Sequence, residues 1–222
     1  MTRLLLLVEG QTEETFVRDV LGPHLSKRNV HCRPITIATK RTHSGGKFRG
    51  GVVSTEQVRR ELDRLLQDSD AHVSTIVDYY GLPEDFYGMA QRPAGDSRER
   101  VEFVEAAWGR AVQRAKFVPH VVLHEFEAWL YSAPVEFARE FDPPGVAHEL
   151  ERIATRAGGP EHVDDGPATA PSKRLLELWP AYQKPLDGPR ILQAMGLARV
   201  RSVCPHFDAW LARLESLGTS AT

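Results

Sequence analysis

LLLLVEGQTEETF, residues 4–16, decides how the rest of the chain is read. Its apolar run, Leu4–Val8, is short and unbroken, as a central strand covered on both faces requires. The run stops on Glu9 and Gly10. Glu13 and Glu14 then open a helix that Thr12 can cap, with Phe16, Val17, Val20 and Leu21 on its inner face. Two readings of the acids stand side by side. A helix dipole favours a first-turn Glu with no ligand at all, whereas a turn lined by carboxylates can also be aimed at a cation.

Working outward, Gly22-Pro23 should kink or restart the helix before His24–Arg28. NVHCRPITIA (29–38) reads as a second strand, and TKRTHSGGKFRGG (39–51) as a glycine-rich basic loop. Ser54 caps a helix in which Val58, Leu62, Leu65 and Leu66 recur at helical spacing. HVSTIVD (72–78) is a strand ending on Asp78. A long loop and the helix RERVEFVEAAWGRAVQRA lead to FVPHVVLHEFEAWL (117–130), read as a fourth strand running into a helix. This alternation predicts a mostly parallel sheet flanked by helices over residues 1–133. Beyond Ala133, short helical stretches divided by DPPG, AGGPEHVDDGPATAPS and KPLDGP predict a helical extension, 134–222. It should pack on the sheet because Leu175, Leu176, Trp179, Phe207, Trp210 and Leu211 need burial.

The bulk numbers exclude several classes. The chain has 222 residues, 26% of them charged and 41% hydrophobic, with a formal net charge of −2. That balance carries no global signal for nucleic acid or membrane, so polyanion binding would need local basic patches. Cys32 and Cys204 lack CxxC partners, which argues against a disulfide framework or a cysteine zinc site. The start MTRLLLLVEG is superficially like a signal peptide, but its apolar run is short and Glu9 follows at once. With no bilayer-length segment, the expectation is a cytoplasmic protein with no membrane partner.

In open parallel sheets, ligands gather beyond the carboxyl ends of the strands. Glu9, Asp78, and Glu125 with Glu127 fall at that edge, and Glu13 sits one helical turn above Glu9. Five converging carboxylates repel unless something positive lies between them. Hard oxygen ligands suit Mg²⁺ or Mn²⁺, and two such ions could clamp a phosphodiester. The bland alternatives are a turn-capping Asp78 and solvated surface glutamates. In a helix Glu125 and Glu127 would point to opposite sides; in extended backbone they share a face.

Cations could hold phosphates nearby: Lys47 in the glycine loop, and Lys173, Arg174 and Lys184 in APSKRLLELWPAYQK, where Ser172 can cap a helix. The alternatives are a solvated loop and a surface helix. The glycines do not match a P-loop, and no HExxH or GxSxG occurs. His124, beside the acids, is either a proton shuttle or a structural hydrogen-bonder. Trp129, Trp179 and Trp210 sit at core spacing.

VEGQTEETF, IVDYYGLP, HEFEAWL, APSKRL and CPHFDAWL, in order along nearly the whole chain, resemble a bacterial Toprim-related family of unknown function. That family is akin to the nuclease domains of OLD (overcoming-lysogenisation-defect) proteins. The resemblance implies a Toprim-like α/β fold and Mg²⁺-dependent phosphodiester chemistry. Glu9 matches the Glu after the first strand, Asp78 the first Asp of the Asp-x-Asp, and Glu13 the second acid of EGxxE. Tyr80 stands where the second Asp belongs, which tells against topoisomerase or primase activity. The resemblance implies a nuclease of DNA or RNA working beside an ATPase partner in phage defence, or else a non-catalytic binding subunit with a degenerate site.

Overall fold

A computed structural model describes residues 1–37, 54–141, 145–163 and 169–219. Lys47 and the rest of the glycine-rich basic loop lie outside the described residues. Strand β1 (Thr2–Val8) is followed by α1 (Gln11–Phe16), a π-helical turn (Val17–Leu21), α2 (Gly22–Ser26) and strand β2 (Val30–Thr36). Helix α3 (Thr55–Leu65) leads to β3 (Ala71–Asp78), and α4 (Ser97–Val112) leads to two short strands, β4 (Phe117–Val118) and β5 (Val121–Val122). All pairs are parallel, in the order β2-β1-β3-β4 with β5 also on β3. The expected α/β architecture of a parallel sheet with flanking helices is therefore present.

The central position of β1 explains its unbroken apolar run. Leu4, Leu6 and Val8 face one core with Phe16, Val17, Leu21, Leu211 and Leu214, while Leu7 faces the other with Val58, Leu62, Val101, Val104 and Trp108. Edge strand β2 tolerates Pro34, whose missing N–H would break a ladder in the sheet interior.

The fourth strand differs from the single strand-into-helix expected. Pro119 and His120 interrupt it, and the Thr75 hydroxyl spans the gap, donating to the His120 carbonyl at 2.7 Å and accepting its N–H at 2.9 Å. The chain then enters a 3₁₀ segment, Phe126–Ser132, and not an α-helix.

One capping expectation also changes and another holds. Gly10, not Thr12, is the N-cap of α1, and the Glu13 carboxylate accepts the Gly10 N–H at 2.9 Å. Ser54 does cap α3, accepting from Gln57 N–H. Gly22-Pro23 restarts the helix as expected: a π turn ends at Leu21 and α2 begins at Gly22, with the proline in its first turn. Gly22 N–H bonds the Val17 carbonyl, and a Cβ at Gly22 would lie 2.8 Å from that oxygen. Alanine normally outranks glycine in helices. Here Gly22→Ala should instead destabilise by ~1–3 kcal/mol in denaturant unfolding, the usual range for overpacking.

Beyond Ala133 the described residues form helices and turns: α5 (Pro134–Phe141), α6 (Val146–Ala157), α7 (Pro171–Leu178), α8 (Lys184–Met195), α9 (Leu197–Val203) and α10 (Pro205–Ser216). They share the core of the sheet. Phe207 and Trp210 are buried, and Trp210 Nε1–H donates to the Ser74 hydroxyl on β3 at 3.0 Å. Leu175 and Leu211 are buried as expected; Leu176 is 37% exposed, so it does not belong to the core face. Trp129 is buried, and Trp179 packs partly buried against the same core. Both cysteines are free thiols. No helix among the described residues is long and apolar enough to cross a membrane.

Candidate metal centre at the strand ends

Parallel pairing brings the ends of β1, β3 and β5 to one edge, and the five acids meet there. Glu9 Oε2 accepts the Asp78 N–H at 3.2 Å, and Asp78 Oδ1 accepts the Phe126 N–H at 3.0 Å. These two bonds tie the three strand ends together through carboxylates. Glu125, in extended backbone before the 3₁₀ segment, accepts the Ser172 N–H at 2.9 Å. Ser172 was expected to cap α7; the helix instead starts at Pro171 behind Ala170, and the capping acceptor comes from Glu125. Glu127 is completely buried and takes the Tyr182 hydroxyl at 3.2 Å and the Lys184 ammonium at 3.0 Å.

The electrostatics reflect this crowding. Burial first, then the Glu9 and Glu13 carboxylates, push the Asp78 carboxyl well above its usual range. Burial raises Glu9 and Glu127 as well, opposed by the Asp78 N–H for Glu9 and by Lys184 for Glu127. Glu13 is lifted by burial, and further by Glu9 and Glu127, to about 7. Burial would lower the Lys184 ammonium, but Glu127, Glu125 and Asp78 together hold it above its ordinary value. Glu13, Glu125 and Glu127 are buried, while Glu9 and Asp78 keep partial solvent access. The outer pair is thus reachable from water.

A raised carboxyl pKa has a defined sign for stability. Between the ordinary value of 4.5 and about 7, the folded chain keeps a proton on Glu13 that the unfolded chain has released. Stability of the metal-free protein should therefore be greatest below that window and fall as pH rises through it, by ~1–3 kcal/mol. Glu13→Gln should flatten the slope in unfolding curves measured with chelator across that range.

The predicted phosphate binders separate. Lys184 joins the acids. Lys173 is exposed on the first turn of α7. Arg174 donates to the Thr169 carbonyl at 2.8 Å and lines a cleft with Arg152, Arg156 and His162. His124 is buried with a left-handed backbone (φ 65°), and its carbonyl accepts the Tyr80 N–H at 3.0 Å. Tyr80 itself is 44% exposed and adds no carboxylate.

Two contributors escaped the sequence reading. Tyr182 supplies a hydroxyl to Glu127, and Gly188 lets α8 approach, since a Cβ there would lie 2.9 Å from the Tyr182 hydroxyl and 3.1 Å from Phe126. Their closeness in sequence to Lys184 was the one available signal.

Whether the donors fit a divalent ion is a question of their chemistry. The donors are hard carboxylate oxygens that feel one another's charge, the donor type that Mg²⁺ and Mn²⁺ favour. They fit.

A parallel α/β sheet whose strand ends carry a knot of interacting carboxylates around a lysine defines the class. The chain belongs to the family described as "Domain of unknown function (DUF4276)", which matches residues 8–215. No curated protein matches it. Among solved structures it is similar to the C-terminal region of the Burkholderia pseudomallei OLD protein, with 14% identity, a TM-score of 0.47, and 98% of this chain and 99% of that chain covered. It is also similar to the C-terminal region of the Xanthomonas campestris pv. campestris OLD protein, with 16% identity, a TM-score of 0.38, and 96% and 98% covered.

Proposed function

We propose that the chain is a divalent-metal-dependent phosphodiesterase of Toprim type acting on DNA or RNA. The observation that carries this reading is the linkage of Glu9, Asp78 and the 125–127 segment by carboxylate hydrogen bonds at the carboxyl edge of a parallel sheet. Glu9 and Asp78, the solvent-accessible pair, would be the main ligands of Mg²⁺ or Mn²⁺. Glu13, Glu125 and Glu127 would complete the site or orient waters. A bound ion would supply Lewis acidity and a water of lowered pKa.

The chain's own groups divide the remaining work. Tyr182 and Lys184 hold Glu127 in place, and Ser172 N–H holds Glu125. Lys184 also balances the acids and would neutralise a phosphate drawn to the same edge, with Lys173 at the start of α7. The resemblance of the five motifs supports a role in phage defence beside an ATPase, and the two unpaired cysteines support a cytoplasmic setting. It also supports a Toprim-like unit over 1–133 with a helical extension over 134–222.

A second reading, a non-catalytic nucleic-acid- or partner-binding subunit, is favoured by one specific feature. Tyr80 removes a ligand, and Lys184 already supplies positive charge among the acids. Incubation of the purified protein with labelled DNA and RNA, with Mn²⁺ or with chelator, separates the two. Metal-dependent cleavage supports the enzyme. Binding without cleavage under every condition supports the subunit.

A further inference from the structure

Away from the strand-end acids, three side chains from three elements converge around the interrupted edge of the sheet. Glu105 comes from α4 on one face, His206 from the first turn of α10 on the other, and His120 from the break between β4 and β5. Glu105 Oε1 lies 3.3 Å from His120 Nδ1 and 3.1 Å from His206 Nε2. The three ligand atoms all fall within 4.8 Å of one another. Four-coordinate zinc with bonds of ~2.0–2.1 Å places its ligand atoms ~3.3 Å apart. The two Glu105 distances match that, and the stacked His120 and His206 rings, 4.8 Å between centroids, would turn their nitrogens toward a shared ion.

Hydrogen bonding alone accounts poorly for the cluster. Glu105 Oε1 already accepts the Val121 N–H at 2.8 Å, so two imidazole donors would give one oxygen three N–H partners. If His120 carries its proton on Nδ1 to serve Glu105, its buried Nε2 is left as an acceptor with no partner among the described residues. If the proton is on Nε2, the Nδ1 lone pair faces a carboxylate oxygen, a repulsion that a bound cation or a second ring proton would relieve.

The ligands are also held in place. The His120 ring stacks on Trp210 at 4.3 Å and 9° and lies near-parallel to Trp129 at 6.5 Å. The Glu161 carboxylate accepts the His206 and Phe207 N–H groups at 3.0 and 2.9 Å, fixing the start of α10. Side chains oriented by such neighbours are what a metal site needs. Glu105 is the most open of the three, with 15% of its side chain exposed, and offers the way in.

We propose that Glu105, His120 and His206 form a zinc-class metal site that clips α4 and α10 together across the edge of the sheet, separate from the strand-end acids. Two imidazoles and a carboxylate are the borderline donor set that favours Zn²⁺ over Mg²⁺. The site would lock the C-terminal helix to the sheet and leave a fourth position for water.

The test is calorimetric titration of chelator-stripped protein with Zn²⁺, with the absorption spectrum of the Co²⁺-loaded protein as a second readout. One Zn²⁺ should bind per chain. At ~100-fold excess over its dissociation constant, the melting temperature should rise by ~5–10 °C. Co²⁺ should give the intense visible bands of a four-coordinate site. His206→Ala should weaken binding at least ~100-fold, whereas the double variant Glu9→Gln, Asp78→Asn should leave it within ~2-fold. The proposal is overturned if the wild-type chain binds no stoichiometric Zn²⁺. It is equally overturned by weak six-coordinate Co²⁺ bands, or if the double variant abolishes Zn²⁺ binding while His206→Ala preserves it. The Co²⁺ spectrum is read on the wild-type chain, so it decides even if His206→Ala fails to fold.

Discussion

Asp78→Asn should lower Mn²⁺-dependent cleavage of labelled DNA or RNA by at least ~100-fold, the scale expected when a charged group acting on the transition state is lost. The fold should not suffer. An asparagine Oδ1 can still accept the Phe126 N–H that Asp78 accepts at 3.0 Å. Removing a carboxyl whose charge is opposed by burial, Glu9 and Glu13 relieves repulsion in the metal-free state. The melting temperature measured with chelator should therefore stay level or rise, while the stabilisation that Mn²⁺ confers should shrink. Glu9→Gln should behave alike, because its amide oxygen can keep the Asp78 N–H bond. Unchanged cleavage in both variants would rule out the strand-end acids as the catalytic centre. A loss of cleavage with a collapsed melting temperature would mean that the acids serve the fold.

Lys184→Met should destabilise the metal-free protein by ~2–4 kcal/mol in denaturant unfolding. Removing one partner of a buried ion pair typically costs ~3–5 kcal/mol, because the other charge is left uncompensated. The lower figure reflects the asymmetry of this pair: Glu127 is wholly buried, but 41% of the Lys184 side chain is exposed, so solvent already screens part of the interaction. Two controls separate charge from packing. Lys184→Met combined with Glu127→Gln should recover most of the loss, since no unpaired charge remains and Tyr182 can still donate to the amide oxygen. Added Mn²⁺ should also recover stability in Lys184→Met, because an ion can supply the missing positive charge. No recovery in either control would show that Lys184 acts through its packing.

Much of this was legible because short-range rules govern it. Leu4–Val8 had to be a central strand, since no exposed or edge strand tolerates an unbroken apolar run, and Ser54 announced α3 by its reach to Gln57. The acids Glu9, Asp78 and Glu125 could be placed at one edge because parallel strands end together. What local rules missed were bonds between distant segments. Thr12 and Ser172 looked like caps, but Glu13 serves Gly10 and Glu125 serves Ser172 across 47 residues. HVVLHEFEAWL read as strand then helix, yet Pro119 interrupts the ladder and Thr75 repairs it from the neighbouring strand.

The opening stretch itself shows the division. LLLLVEGQTEETF determined a buried parallel strand, a glycine turn and an acid-lined helix start, because periodicity and backbone freedom are properties of the local chain. Tertiary structure alone decided that Glu127 meets Lys184 and Tyr182, and that Glu105, His120 and His206 close around the sheet edge. Those contacts depend on how helices far apart in the chain pack on both faces of one sheet, and no local pattern encodes which side chains that packing brings within hydrogen-bonding distance of one another.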